Sequence, residues 1–172
     1  LLKVNITPGL QYPRPPQGDI SSKANLTVGE DLNLIGKNIN LTGNLTAGRD
    51  LNLRAENNLQ IRDDSEIPFI ADAGNNLFLQ GIESLDILAS NHPDSGLLSG
   101  NDLILQSENP VLGDINYFSG GNFRIEQLNG NLGSLQSPND PIIRTGGDVS
   151  FNSYTGASLH ILAGGSVNIT GD

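Results

Sequence analysis

The sequence predicts an all-β fold, a right-handed single-stranded parallel β-helix (solenoid) of about seven coils of 18–26 residues. Three observations carry that prediction. A glycine recurs at a fixed distance before two apolar residues, a second alternating segment follows each of these, and no window sustains the apolar spacing of a helix.

The glycine comes first in each coil. It stands at Gly29 (before Leu32 and Leu34), Gly48 (Leu51, Leu53), Gly74 (Leu77, Leu79), Gly100 (Leu103, Leu105), Gly120 (Phe123, Ile125), Gly146 (Val149, Phe151) and Gly164 (Val167, Ile169). Residues three and five positions on point to one side of a strand, and the residue between them points to the other. The intervening residues, Asn33, Asn52, Phe78, Ile104, Arg124, Ser150 and Asn168, are mostly polar. Successive glycines lie 19, 26, 26, 20, 26 and 18 positions apart, which fits one coil geometry with optional insertions. Each is expected at a sharp corner where positive φ favours a residue without Cβ, and Asn and Asp gather at the same corners.

The second segments are Ile39-Asn40-Leu41, Leu59-Gln60-Ile61, Leu85-Asp86-Ile87, Ile115-Asn116-Tyr117, a looser Leu132 to Leu135, and Leu159-His160-Ile161. The longer coils add a third apolar patch, at Pro68-Phe69-Ile70, Gly96-Leu97-Leu98 and Pro141-Ile142-Ile143. Strands this short are marginal alone and must stack, so that each inward Leu meets its equivalent one coil away. An antiparallel sandwich is the main rival. It would need repeated hairpin turns, and Asn129-Gly130 is isolated.

Residues 1–25 fit the repeat poorly and are expected to form a leader or cap, with Tyr12-Pro13-Arg14-Pro15-Pro16 extended or looped because Pro cannot donate to a ladder. Residues 26–172 carry the repeats. The chain opens at Leu1 and closes at Thr170-Gly171-Asp172 just after a strand pattern, so a fragment of a longer protein is expected.

Composition narrows the function classes. With no Cys, Met or Trp and 5% aromatic residues, the core falls to Leu, Ile and Val, and thiolate chemistry is excluded. A formal charge of −10, with nine Lys and Arg scattered singly, argues against nucleic acid. No stretch approaches the roughly 20 apolar residues of a spanning helix, so no membrane insertion is expected.

Because parallel β-helices host many functions, catalysis has to be judged from a site. The expected outward column of the second strand reads Asn40, Gln60, Asp86, Asn116, Gly133 or Ser134, and His160. Asp86 between Gln60 and Asn116 suits a sugar hydroxyl but lacks the second acid that glycoside cleavage needs. Asp63, Asp64, Glu66 and Asp72 crowd one long corner and could hold a hard cation, although a solvated loop is the simpler reading. His92 and His160 have no Cys or second His near them in the sequence. Gly120-Gly121 and Gly164-Gly165 lack the Lys and helix of a phosphate loop. No cofactor and no metal are expected. Five Asn-x-Thr sequons, at Asn5, Asn25, Asn40, Asn44 and Asn168, arise from the alternating pattern itself.

Five stretches carry a family resemblance: Leu2-Lys3-Val4-Asn5-Ile6-Thr7-Pro8-Gly9, Gly48-Arg49-Asp50-Leu51-Asn52-Leu53, Phe123-Arg124-Ile125-Glu126-Gln127-Leu128, Pro141-Ile142-Ile143-Arg144, and the run from Ala157 to Ile169. They resemble the repeat region of cyanobacterial-type filamentous haemagglutinin family exoproteins. The resemblance implies a long fibre exported by two-partner secretion through an outer-membrane transporter, then secreted or displayed at the cell surface for adhesion. Surface glycans or cell-surface receptors would be its partners. The Asn-Pro-Asn-Gly-type motif of that family's transport domain is absent, which implies an interior part of the shaft. The expectation is therefore a non-enzymatic structural and adhesive segment. A carbohydrate-active lyase or hydrolase and an inert spacer are the alternatives.

Overall fold

A computed structural model of the chain describes residues 17–171. Three parallel sheets of seven strands each form the three faces of a solenoid, and the described residues contain no helix. The first face stacks Leu32–Gly36, Leu51–Ala55, Leu77–Gly81, Leu103–Gln106, Phe123–Glu126, Val149–Phe151 and Val167–Ile169. The second stacks Ile20–Ser22, Ile39–Leu41, Asn58–Arg62, Ser84–Leu88, Val111–Asp114, Leu135–Ser137 and Tyr154–Gly156. The third stacks Leu26–Val28, Leu45–Ala47, Ile70–Ala73, Gly96–Ser99, Asn116–Ser119, Ile142–Thr145 and His160–Ala163. At the usual strand spacing, seven coils rise roughly 30 Å.

The sequence period fixes the register. Leu32, Leu51, Leu77, Leu103, Phe123, Val149 and Val167 pair in order up the first face. From Leu51 to Val149 these side chains are at most 1% exposed, and each such burial contributes about 2 kcal/mol. The last coil has no further coil over it here, and Val167 and Ile169 are 49% and 46% exposed.

Each described coil has three strands, including the short ones. In the short coil that carries Leu45–Ala47 the third strand hides in the sequence because its second inward position is small. That column reads Val28, Ala47, Ala73, Ser99, Ser119, Thr145 and Ala163. Small residues suit a face that narrows into a corner. The hydroxyls among them are satisfied there: Ser119 Oγ donates to the Asn101 carbonyl at 2.7 Å and Thr145 Oγ1 to that of Gly147 at 2.8 Å.

The recurrent glycines do sit at this corner, but for another reason than positive φ, which among the described residues occurs only at Gly130 and Gly171. A Cβ on Gly48, Gly74, Gly100, Gly120, Gly146 or Gly164 would run into the carbonyl oxygen of the glycine one coil below. Two residues later a side-chain ladder climbs the same corner. Asp31, Asp50, Asn76, Asp102, Asn122 and Asp148 each accept the backbone N–H of the next coil's equivalent residue, at 2.7–3.2 Å. Each bond satisfies a backbone donor that the turn would otherwise orphan.

Insertions are confined to corners. Residues 63–69 and 89–95 loop out between the second and third faces, and residues 127–134 between the first and second. In the last of these Asn129 Oδ1 accepts the Asn131 N–H at 2.9 Å, and Gly130 takes φ 86°.

Three expected strands move. Ile115-Asn116-Tyr117 and Leu159-His160-Ile161 belong to the third face, because the second-face strands of those coils are Val111–Asp114 and Tyr154–Gly156. Leu132 lies in the inserted loop, and the strand there is Leu135–Ser137. Ile20–Ser22, inside the stretch expected as leader, already pairs with Ile39–Leu41. Tyr12-Pro13-Arg14-Pro15-Pro16 lies outside the described residues.

Candidate functional site

The second face carries the sequence-predicted column, in corrected order. Its outward residues pair as Ser21, Asn40, Gln60, Asp86, Leu112, Gln136 and Thr155. Asn40, Gln60 and Asp86 are thus neighbours as expected. Asn116, Gly133, Ser134 and His160 are not in the column: Asn116 pairs with Gly96, and His160 with Ile142.

These three residues, with Asp19, Asn38, Asn58 and Ser84, line an open polar groove of about 430 Å³. One rim is a corner ladder in which Asn38 Nδ2 donates to Asp19 Oδ1 at 2.9 Å, Asn58 Nδ2 to Asn38 Oδ1 at 3.2 Å, and Ser84 Oγ to Asn58 Oδ1 at 2.6 Å. Asp86 is held bidentately by Arg62, with Nη1 to Oδ1 at 3.0 Å and Nη2 to Oδ2 at 2.7 Å. Arg62 was not singled out in the sequence; its register partner is Leu88, and its side chain reaches Asp86 diagonally across the ladder. The side chains of Asn40 and Gln60 make no hydrogen bond to the described residues, so they keep their donors and acceptors for solvent or a ligand.

The groove can bind hydroxyls, but its acids are not placed as a hydrolytic pair. Asp19 and Asp86 are three coils apart, roughly 14 Å at the strand spacing, beyond the roughly 5–10 Å that glycoside cleavage requires. Asp86 is also committed to Arg62.

The acidic corner does not converge either. Asp63 accepts the backbone N–H of His92 at 2.9 Å and the Ser95 hydroxyl at 2.6 Å through Oδ2, and Asn91 Nδ2 at 2.8 Å through Oδ1. Asp64 Oδ1 accepts the N–H groups of Glu66 and Ile67 at 2.8 and 2.7 Å. Asp72 stands on the outward side of the third face, paired with Thr46 and Leu98. Among the described residues no three His, Asp or Glu are placed to hold a metal ion.

One cluster escaped the sequence reading. Asp114 is 2% exposed and accepts hydrogen bonds from Ser90 Oγ at 2.6 Å, Ser137 Oγ at 2.8 Å and Asn139 Nδ2. It borders a cleft of about 290 Å³ that Asp140 and His92 also line. Asp114 and Asp140 are one long coil apart, 26 residues, and that spacing was the available signal. Three donors already occupy most of the lone-pair positions of the Asp114 carboxylate, which makes it a clip between coils.

Two sequons are built into corners: Asn25 Oδ1 accepts the Asn44 N–H, and Asn44 Oδ1 the Ile70 N–H, both at 2.9 Å. Asn40 and Asn168 point outward, and Asn5 lies outside the described residues. No family model, curated protein or solved structure matches this chain.

Proposed function

We propose that this chain is a structural and adhesive segment of a large exported surface protein, a rod that holds rows of outward side chains in fixed register and catalyses nothing. The observation that carries the reading is the continuity of the three ladders through all seven coils. Every strand pairs only with strands of the neighbouring coils, so the chain can fold progressively as it emerges from a secretion pore. The absence of cysteine fits that route, since no disulfide has to form on the way.

The rod repeats an outward position at every strand spacing and presents amides on its second face, notably Asn40 and Gln60. Amide side chains donate and accept at once, which suits sugar hydroxyls. The resemblance to filamentous haemagglutinin family exoproteins supports the exported location and the two-partner secretion transporter as a partner of the parent protein.

Protease shaving of intact native cells, read by antibodies against this segment, tests the location. Loss of signal without lysis supports display, and a signal protected until lysis overturns it. Binding of the purified chain to a panel of neutral and acidic polysaccharides tests adhesion. Release of new reducing ends from any of them would overturn the non-catalytic part.

A further inference from the structure

The outward column of the third face changes character along the rod. In register it reads Thr27, Thr46, Asp72, Leu98, Phe118, Arg144 and Leu162, polar for three coils and then apolar with one cation. Beside it runs an open groove of about 450 Å³. Asp72, Leu98, Phe118 and Arg144 line one side, and the glycine corner at Gly74, Gly100 and Gly120 forms the other.

The glycine flank is smooth and polar only in its backbone. Its N–H groups are spent within the ladder, Gly100 on the Ala73 carbonyl and Gly120 on that of Ser99, both at 2.9 Å. The hydroxyls of Ser99 and Ser119 are spent on the Asn101 carbonyl. The side-chain groups left to a ligand are the Asp72 carboxylate and the Arg144 guanidinium. Neither joins an ion pair among the described residues, and Arg144 lies over the Phe118 ring, 5.4 Å from its centroid.

We propose that this groove binds an uncharged polysaccharide laid along the rod axis. The inference rests on the adhesive reading and gives it a face and a ligand class. Leu98 and Phe118 offer an apolar surface for the C–H faces of sugar rings. A carboxylate only accepts and a guanidinium only donates, and a hydroxyl satisfies both. Asp72 and Arg144 are three strand spacings apart, roughly 14 Å, so the ligand must be an oligomer to reach both. That separation exceeds the Debye length of about 8 Å, so the two charges act on separate parts of it. The net charge of −10 disfavours a polyanion.

Calorimetric titration of the full 172-residue chain with cellohexaose tests the assignment. Phe118→Ala is expected to weaken binding roughly tenfold, and Arg144→Gln and Asp72→Asn several-fold each, while Lys37→Gln, exposed between the first and second faces and outside both grooves, changes nothing. Arg144 and Asp72 are exposed, so their variants keep the melting temperature and remain informative if Phe118→Ala does not fold. Binding that survives Phe118→Ala and Arg144→Gln but falls with Gln60→Ala overturns this site and leaves adhesion standing. A preference for polygalacturonate overturns the ligand class. A chain that binds neither polymer nor any other polysaccharide overturns this inference and the adhesive reading together.

Discussion

The hydroxyl of Tyr117 fills the space in which a side chain on Gly113 would begin. Tyr117 is fully buried, sits edge-on to Phe123 with ring centroids 5.0 Å apart, and its hydroxyl has no hydrogen-bond partner among the described residues. Burial, and then the charge of Asp114, push its pKa well above the usual tyrosine value. Gly113 is therefore a packing requirement set by a residue four positions later on another face.

That relationship predicts a coupled pair. Tyr117→Phe removes an unpartnered buried hydroxyl and is expected to leave stability unchanged or raise it by about 1 kcal/mol. Gly113→Ala should cost about 2–3 kcal/mol by overpacking. In the double variant the nearest obstruction, the Tyr117 oxygen, is gone and the flexible methyl end of Leu135 is the close neighbour that remains, so the combined cost should fall below the sum. Urea denaturation of the four proteins measures this, and strict additivity would show that the two residues do not meet.

The glycine corner predicts a position-dependent cost. Gly100→Ala drives a Cβ against the Gly74 carbonyl oxygen, part of a backbone that cannot step aside, and should destabilise by about 2–3 kcal/mol. Gly29→Ala meets nothing within 4 Å among the described residues and should stay within about 1 kcal/mol of the parent. Hydrogen exchange would place the Gly100→Ala loss around that corner, and equal costs at both sites would contradict the stacking explanation.

The same corner shows why much of the fold was legible. The glycine, the alternating Leu pair and the corner Asp or Asn recur in one phase because coil-on-coil stacking repeats one environment, as at Gly48-Arg49-Asp50-Leu51-Asn52-Leu53. The second face failed where its inward positions stop being large and apolar. Gly113 breaks the alternation in Val111–Asp114, since it must leave room for Tyr117, so Ile115-Asn116-Tyr117 reads as the more regular strand. The third face is hidden at Leu45–Ala47, where Ala47 is a weak signal, while in the two other short coils its strands read as second-face strands. Of the candidate site, Asn40, Gln60 and Asp86 could be read from the period, whereas Arg62 and Asp86 are not register partners and meet through a diagonal side-chain contact.

The Asp and Asn ladder predicts that an acceptor oxygen matters more than a charge. Asp102→Ala orphans the Asn122 N–H and should cost about 1–2 kcal/mol. Asp102→Asn keeps an oxygen there and should recover most of it. Thermal unfolding compares the two, and equal losses would assign the effect to charge.

Asp31 supplies a pH dependence. Its carboxylate accepts a hydrogen bond from the Arg49 guanidinium, then one from the Asp50 N–H, and these hold its pKa below the ordinary 3.8. A depressed folded-state pKa gives stability that is present above the unfolded value and lost as pH falls through the folded one. The melting-temperature gap between wild type and Asp31→Asn should be present near pH 6, close below pH 3.8, and shrink with added salt because the pair is exposed. A gap that persists at the lowest pH would mean that the ionised carboxylate is not its source.

Asp114 joins three successive coils, accepting from Ser90 in one and from Ser137 and Asn139 in another, with its own strand between them. Asp114→Ala leaves the buried Ser137 hydroxyl without its acceptor, whereas Ser90 and Asn139 are exposed and turn to water, and the change should cost about 2 kcal/mol. Asp114→Asn is predicted to be far milder for a geometric reason. With its oxygen turned toward Ser90 and Asn139, its amide N–H faces Ser137, whose hydroxyl accepts as readily as it donates. The asparagine variant should therefore lose less than about 1 kcal/mol in urea denaturation, with hydrogen-exchange protection retained across Leu135–Ser137. A loss as large as that of alanine would show that the charge itself, and not the count of acceptors, holds the three coils together.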